Sequence, residues 1–406
     1  MPKITRIATA VIDANFYWTY VRVYSDVDGG LYGTGEGFCA PALHHIIQAF
    51  EPILVGEDFN NVEKLMEKMR WAASGAGSIA GIVWNAITAI ETALWDLKGK
   101  YVGLPIYQLL GGKFRDDVRI YADLHASTAL ESLTPLLQPY TPKWQPVSDD
   151  PELSRAEIIE ASAERARLVA AEGYTAVKFD LDLPGSVNDS ASGYQLSNAD
   201  IDWMVSLTHR IREALGPDVE YAMDAHWRYR PNDILQVAKE IESARLMWLE
   251  DPVPPDDFAS LAFLRQHTTT PIGTGEHLQL RQGFWQLIVN GMIDIPLPDA
   301  QKAGGLAETK KIADLAAVKN MSIALHMIGS PLALMASSHL ALTLPNFKVC
   351  EFHAHDVPFF TELVVGGTSS WFRPGWTTPP DTPGLGVELD ETVGQKYKLD
   401  GTAWFA

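Results

Sequence analysis

Cysteine is nearly absent, with Cys39 and Cys350 the only two in 406 residues. Two thiols cannot build a disulfide framework, and their separation has none of the spacing of a thiolate metal site. Positive charge is also scarce, at 32 Lys and Arg against 51 Asp and Glu, for a formal charge of −19. A surface of that sign repels phosphate backbones and anionic lipid, which argues against nucleic acid and membrane as partners. No apolar run approaches a membrane span, and the opening Met1-Pro2-Lys3-Ile4-Thr5 lacks the apolar stretch of a signal peptide. The expected location is the cytoplasm. Low-complexity tracts are missing too. The small-residue stretch Ser74-Gly75-Ala76-Gly77-Ser78 has no Lys-Ser/Thr ending to hold a nucleotide phosphate. It reads as a flap over a site or as a plain loop between helices.

What is present is a hydrophobic content of 47% and a charged content of 20%, enough for a large core. The chain exceeds one ordinary domain, although a (β/α)₈ barrel alone takes about 250 residues. Between Lys178 and Glu351, carboxylates and histidines recur in step. Asp224, Glu250 and Glu276 each close a short apolar run, and successive pairs stand 26 residues apart. Segments of helical period, Pro231 to Ala244 and Asp257 to Gln266, fill the gaps. A strand, a helix and two loops use about that many residues in a parallel α/β unit. Equal units place the three acids at the same ends of adjacent strands, where such barrels keep their chemistry. Three converging carboxylates repel unless a cation lies among them, and hard oxygen donors suit Mg²⁺. One acid at a strand end ordinarily caps the next helix or pairs with a lysine; three in phase read as a metal site.

The rest of the chain fits this frame. Residues 3–38 alternate and turn as an antiparallel meander, with Asp28-Gly29-Gly30 marking one turn. Asn15-Phe16-Tyr17-Trp18 links the first two strands, and its aromatics either pack against a helix or wall a substrate pocket. Helices follow to about residue 111. Strands then end at Asp123, Lys178, Asp224, Glu250, Glu276, Asp299, His326 and Glu351, eight in all. Stretches at 132–152 and 183–197 lack a clear period and read as insertions or lids. The Gly- and Pro-rich tail returns to the first domain. The expected organisation is an α+β capping domain at 1–115, a modified TIM (β/α) barrel at 116–360, and a C-terminal segment at 361–406 that completes the cap. The fold class is α/β.

These residues resemble the enolase superfamily, in its mandelate racemase branch, and specifically that branch's acid-sugar dehydratases. The resemblance is carried by Ala-Val-Lys178-x-Asp180, Asp224-x-His226, Glu250-Asp-Pro, Gly-Glu276-His, Asp299-x-x-Lys302-x-Gly-Gly, His326 and Glu351. It implies that Asp224, Glu250 and Glu276 bind Mg²⁺ and that the metal holds a substrate carboxylate. The charge of the enediolate formed on loss of the α-proton then falls on the metal. It implies Asp299–His326 as the general base, the Asp fixing the tautomer and raising the basicity of the imidazole. It implies His226 as the acid that protonates a departing β-hydroxyl. Lys178 matches the first lysine of the branch's Lys-x-Lys, but Asp180 stands where racemases carry the second. That departure disfavours a two-base racemase and favours dehydration.

Lys178 is expected to steer the substrate carboxylate or the acidity of His226, and Glu351 to hydrogen-bond that carboxylate if crowding keeps it protonated. Trp18, Asp180 and Arg228 are candidate substrate contacts, with Arg230 beside them. His277 is expected to alternate away from the site, and His353 and His355 have no assigned role. The expected activity is removal of water from a sugar acid, an aldonate or aldarate, giving a 2-keto-3-deoxy acid. The alternatives are a racemase, epimerase or cycloisomerase using the same enediolate, and a non-catalytic binding protein that has kept the fold. The resemblance further implies a homo-oligomer, between dimer and octamer.

Overall fold

The computed structural model describes residues 1–27, 29–77, 80–126, 142, 144, 153–183 and 195–406. Most of the insertions at 132–152 and 183–197, and part of the 74–78 stretch, lie outside them.

The N-terminal region is an antiparallel sheet of β1 (Ile4–Asp13), β2 (Tyr17–Ser25) and β3 (Tyr32–Gly37), in that order. Helices α1 (Leu43–Ala49), α2 (Glu51–Leu54), α3 (Val62–Ala72), α4 (Ile82–Val102) and α5 (Ile106–Leu109) follow. α4 lies flat on β3 because Gly33, Gly35 and Gly37 share one strand face. A Cβ at Gly33 would lie 2.0 Å from the Ala93 carbonyl, and one at Gly35 2.2 Å from that of Ala89. Period two in the strand thus meets period four in the helix, and only glycine permits the approach.

Eight parallel strands form the barrel: β4 (Val118–Leu124), β5 (Ala176–Asp180), β6 (Glu220–Asp224), β7 (Leu249–Glu250), β8 (Ile272–Thr274), β9 (Ile295–Pro296), β10 (Ile323–Leu325) and β11 (Phe347–Phe352). Continuous pairing runs β10-β11-β4-β5-β6-β7-β8-β9. The remaining seam is bridged by a parallel pairing of Asp299 with His326, where the His326 amide donates to the Pro298 carbonyl at 3.3 Å. The ring is therefore nearly closed, and two candidate catalytic residues close it.

The outer helices are α6 (Arg155–Glu172), α7 (Asn198–Leu215), α8 (Pro231–Glu240), α9 (Phe258–His267), α10 (Leu280–Val289), α11 (Gly305–Val318) and α12 (Pro331–Leu342). α6 and α7 both begin with capping boxes, Ser154 with Glu157 and Ser197 with Asp200. α12 differs from the others, since every residue in it is buried between barrel and cap. Each fully buried leucine there contributes about 2 kcal/mol.

Alternation builds the floor of the barrel. Tyr121, Ala176, Ala222, Trp248 and Val349 belong to an apolar cluster separate from the main core. Each stands two residues before Asp123, Lys178, Asp224, Glu250 and Glu351 respectively, on the same strand face. The apolar layer plugs the barrel, and the charged layer lies above it at the strand tips.

The tail adds β12 (Phe372–Arg373) and β13 (Trp376–Thr377), the latter pairing antiparallel with β4. After α13 (Glu391–Lys396), Lys398 and Trp404 bridge to Ile12 and Ala10 on β1. The C-terminal segment thus rejoins the N-terminal sheet. Among the described residues no helix is long and apolar enough to cross a membrane.

Candidate active site

The strand tips gather charge around one ammonium. Lys178 Nζ lies 2.9 Å from Glu351 Oε1, 3.2 Å from Asp224 Oδ2, 3.4 Å from Glu250 Oε2 and 3.5 Å from Asp123 Oδ2. Burial opposes the lysine's charge, but Asp123, Glu250 and Glu351 hold its pKa well above the ordinary value. Burial likewise pushes Glu250 well up; Lys178 pulls it back, while Asp224, Glu351 and Glu276 add to the rise. Glu351 is raised by burial against the pull of Lys178 and His326.

Asp224, Glu250 and Glu276 each offer one oxygen, and the three oxygens lie within 4.8 Å of one another. All three residues are buried, and Glu250 Oε1 has no hydrogen-bond partner. Trp248 Nε1–H donates to the other oxygen of Glu250 at 2.9 Å, tying the barrel floor to the triad. Three buried, mutually repelling hard oxygens with an orphaned acceptor fit a divalent cation. Asp180, Asp182 and His226 form another close group, and there Arg228 Nε lies 3.0 Å from Asp182 Oδ1.

A histidine held by an aspartate stands at each end of the triad. His326 Nδ1 is 2.7 Å from Asp299 Oδ2, and its Nε2 is 2.7 Å from Glu276 Oε2 and 3.6 Å from Glu351 Oε2. The Gln301 amide donates to the second Asp299 oxygen at 2.6 Å. Burial lowers the His326 pKa, yet Glu351, Glu276 and Asp299 together hold it well above the usual value. His226 Nδ1 is 2.9 Å from Asp182 Oδ2, and its Nε2 is 3.8 Å from Asp224 Oδ2. His226 and Trp227 are both left-handed, with φ of 44° and 50°. This is a sparsely populated conformation for non-glycine residues and marks local strain beside the site.

Two expectations need correction. Trp18 does not sit in the link, because β2 already begins at Tyr17. Its side chain is 1% exposed and packs edge-on against Phe359 and Phe360. The residues of the link that reach the site are Asn15, with Nδ2 3.2 Å from His353 Nδ1, and Phe16, whose ring lies 5.2 Å from that of His353. His277 does not turn away. Its Nε2 is 2.5 Å from Glu276 Oε1, and its Nδ1 is 3.0 Å from Lys302 Nζ. β8 stops at Thr274 and Gly275 takes a positive φ of 147°, so strand alternation no longer governs position 277.

The structure also adds residues that spacing did not single out. Asp182 joins His226 to Arg228. His125 Nδ1 lies 3.2 Å from Asp180 Oδ2, and His353 Nε2 lies 3.6 Å from Asp123 Oδ2. The His353 pKa is pushed down to about 3, first by burial and then by His125. Arg230 reaches Gln195 Oε1 at 3.4 Å, at the edge of the site. A second Asp two residues beyond Asp180 was the available signal for Asp182. Nothing in local spacing announces His125 or His353, which meet only across the β11–β4 seam.

Comparison with known proteins agrees with this architecture. Residues 6–111 match the mandelate racemase / muconate lactonizing enzyme N-terminal domain, and residues 160–393 match the enolase C-terminal domain-like family. The chain is 35% identical to a D-xylonate dehydratase of Haloferax volcanii, covering 99% of this chain and 90% of that protein. It is 30% identical to a D-mannonate dehydratase of Rhizorhabdus wittichii, covering 99% of each. Among solved structures, a mandelate racemase/muconate lactonizing enzyme-like protein from Rubrobacter xylanophilus superposes with a TM-score of 0.90 at 36% identity, over 100% of both chains. With a capped, nearly closed barrel, a buried acidic triad and matches over both domains, the chain belongs to the enolase superfamily, in its mandelate racemase / muconate lactonizing enzyme branch.

Proposed function

We propose that this protein is a Mg²⁺-dependent dehydratase that removes water from an aldonic acid to give a 2-keto-3-deoxy acid. The observation that carries the reading is the pair of Asp-held histidines at opposite ends of the triad, His326 against Glu276 and His226 against Asp224. Dehydration of an α,β-dihydroxy acid needs one base and one acid, and we assign those two parts to the two histidines. A divalent cation held by Asp224, Glu250 and Glu276 supplies counter-charge for the substrate carboxylate and for the enediolate.

The chain's own residues do the rest. His326, oriented through Nδ1 by Asp299, takes the α-proton at Nε2. His226, oriented through Nδ1 by Asp182, gives a proton from Nε2 to the β-hydroxyl. The C–H and C–O bonds break, a C=C bond forms, and the resulting enol tautomerises to the ketone. Lys178 holds the strand-tip carboxylates together and favours an anionic substrate above them. Asp180 and Arg228 face the same end as His226, and we assign them to the substrate's hydroxyls. Aldonates are preferred to aldarates because the named relatives act on xylonate and mannonate.

The test is a library of five- and six-carbon aldonic and aldaric acids incubated with enzyme and Mg²⁺ and assayed for 2-keto-3-deoxy products. Turnover of one or two aldonates, absent in His326→Asn and His226→Asn, is expected. No keto product from any acid overturns the reading. Solvent-deuterium exchange at the α-carbon without water loss, still requiring His326, would instead mark a racemase or cycloisomerase.

A further inference from the structure

Two buried glutamates of the capping region have no part in the chemistry above. Glu36 lies on β3 and Glu91 on α4, and they are 2% and 0% exposed. Both reach across to the barrel and end at the start of a barrel helix. The Ser330 amide donates to Glu36 Oε1 at 3.0 Å, and the Ser330 hydroxyl donates to Oε2. Ser330 is itself the N-cap of α12, accepting from the Leu332 amide at 3.1 Å. Glu91 does the same for α11, accepting from the Leu306 amide at 2.9 Å and the Ala307 amide at 3.1 Å, with Trp95 Nε1–H at 2.6 Å. A carboxylate at a helix N-terminus satisfies orphaned amides and meets the positive end of the helix dipole.

The sequence is shaped around both contacts. A Cβ at Gly305 would lie 2.4 Å from the Glu91 carboxylate, and one at Gly329 2.7 Å from Glu36 Oε1. The second glycine of the Lys302-x-Gly-Gly motif, Gly305, thus leaves room for a carboxylate arriving from the other domain. Burial pushes both carboxyls up to about 7, with Ser330 and the α11 amides drawing them partly back. Such groups are costly to bury, and no reaction step employs them.

Position gives them a use. α11 follows the strand-end loop of Asp299, and α12 follows that of His326. Ser330 stands four residues after His326, and Leu306 seven after Asp299. Gln301, whose amide fixes Asp299, hands its carbonyl to the Thr88 hydroxyl on α4 and to the Phe38 amide after β3. The Phe38 ring lies 6.0 Å from the His326 ring. These supports of the Asp299–His326 pair all come from the capping region.

We propose that Glu36 and Glu91 are positioning residues: by capping the two helices that follow Asp299 and His326, they make docking of the capping region set the geometry of that pair. The proposal rests on Asp299–His326 as the base, and the experiment separates the two. Glu36→Gln and Glu91→Gln keep volume but place an amide donor against the helix amides. Ser330→Ala is a milder variant that removes one donor to Glu36. Two readouts are taken on folded, Mg²⁺-loaded protein. The first is the His326 Nδ1–H resonance by ¹H–¹⁵N NMR, assigned by its loss in His326→Asn. The second is kcat and KM with the aldonate turned over by wild type.

A shifted or broadened Nδ1–H signal is expected, with kcat down about tenfold or more and KM within about twofold, as for a displaced catalytic group. An unchanged resonance, or an unchanged kcat per folded site, overturns the proposal and leaves the glutamates as stabilisers of the domain interface. If wild type turns over no acid, the dehydratase reading fails and the resonance alone decides this one. If the glutamine variants do not fold, Glu36→Asp and Glu91→Asp, which keep the charge but shorten its reach, decide the matter on the same criteria, with Ser330→Ala showing how much the α12 cap contributes by itself.

Discussion

The two histidines that flank the triad are each held by an aspartate, yet they stand on different kinds of backbone. His326 sits where the barrel seam is bridged, its side chain 5% exposed, with Asp299 paired to it through main chain and side chain alike. His226 sits past the end of β6 on two successive left-handed residues, its side chain 21% exposed, and its aspartate also holds Arg228. One end of the site is therefore part of the sheet, and the other is part of a strained turn. A proton taken from carbon demands a base fixed closely against the substrate. A hydroxyl that differs between diastereomers is better met by a turn, which evolution can reshape without opening the barrel.

The largest effect should separate the two ends outright. His326→Asn is expected to lower dehydration by about 10³-fold or more and to abolish α-deuterium exchange in D₂O. His226→Asn should lose dehydration on a similar scale while exchange persists, because the α-proton still leaves and returns. Equal loss of exchange in both variants would mean that the ends do not divide the work as acid and base.

A smaller effect sharpens the same contrast. Asp299→Asn removes the carboxylate on His326 Nδ1 and should cost about 100-fold in kcat. Asp182→Asn should cost about tenfold, because Asp224 and Asp180 also bear on His226. Steady-state kinetics with one aldonate decides it, and equal losses would argue that the strained turn is as closely fixed as the seam.

Much of this was legible in the sequence, for definite reasons. The acidic triad showed itself because one βα unit per acid imposes a constant interval on Asp224, Glu250 and Glu276. The strand tips from Asp224 to Glu351 follow the same rhythm, at intervals of 23 to 27 residues, whereas the insertions stretch the two intervals before Asp224 to 55 and 46. What stayed hidden depends on contacts between distant segments. His125 meets His353 only when β4 and β11 pair, and Asn15 meets it only when the capping region lies against the barrel. His277 is misplaced by a two-residue period when that period is extended past the end of its strand. Glu36 and Glu91 look like ordinary acids in a strand and a helix; their role emerges only with α11 and α12 beside them.

The His326 end should also carry a pH signature. A carboxyl raised from near 4.5 to about 7 holds more protons folded than unfolded. Its contribution to stability is fully present below the unfolded value and is lost as pH rises through the folded one. For Glu91 that window runs from about 4.5 to about 7, with an order-of-magnitude loss of about 2–3 kcal/mol across it. Denaturant unfolding at about pH 5 and about pH 8 should show wild type losing more stability than Glu91→Gln, by up to that amount. Equal losses would mean that Glu91 does not titrate in this window.

The smallest effect concerns the junction of the β1–β2 link with β2, where Asn15 of the link and Trp18 of the strand face different surroundings. Trp18 faces Phe359 and Phe360, and its indole N–H has no hydrogen-bond partner. Trp18→Phe therefore loses volume but no hydrogen bond, and the expected cost is about 1–2 kcal/mol of stability with kcat and KM unchanged. Asn15 Nδ2 donates to the His353 carbonyl at 3.3 Å and faces that histidine's ring. Asn15→Ala should raise KM for the aldonate a few-fold, because His353 and the Asp123 beside it lose a support. Thermal unfolding and steady-state kinetics on both variants make the comparison. A Trp18→Phe variant with altered preference among aldonates and an unshifted Tm would return Trp18 to the pocket wall and leave Asn15 as mere packing. The opposite pattern places the substrate-facing edge of the cap one strand turn earlier than the aromatic run in the sequence suggests.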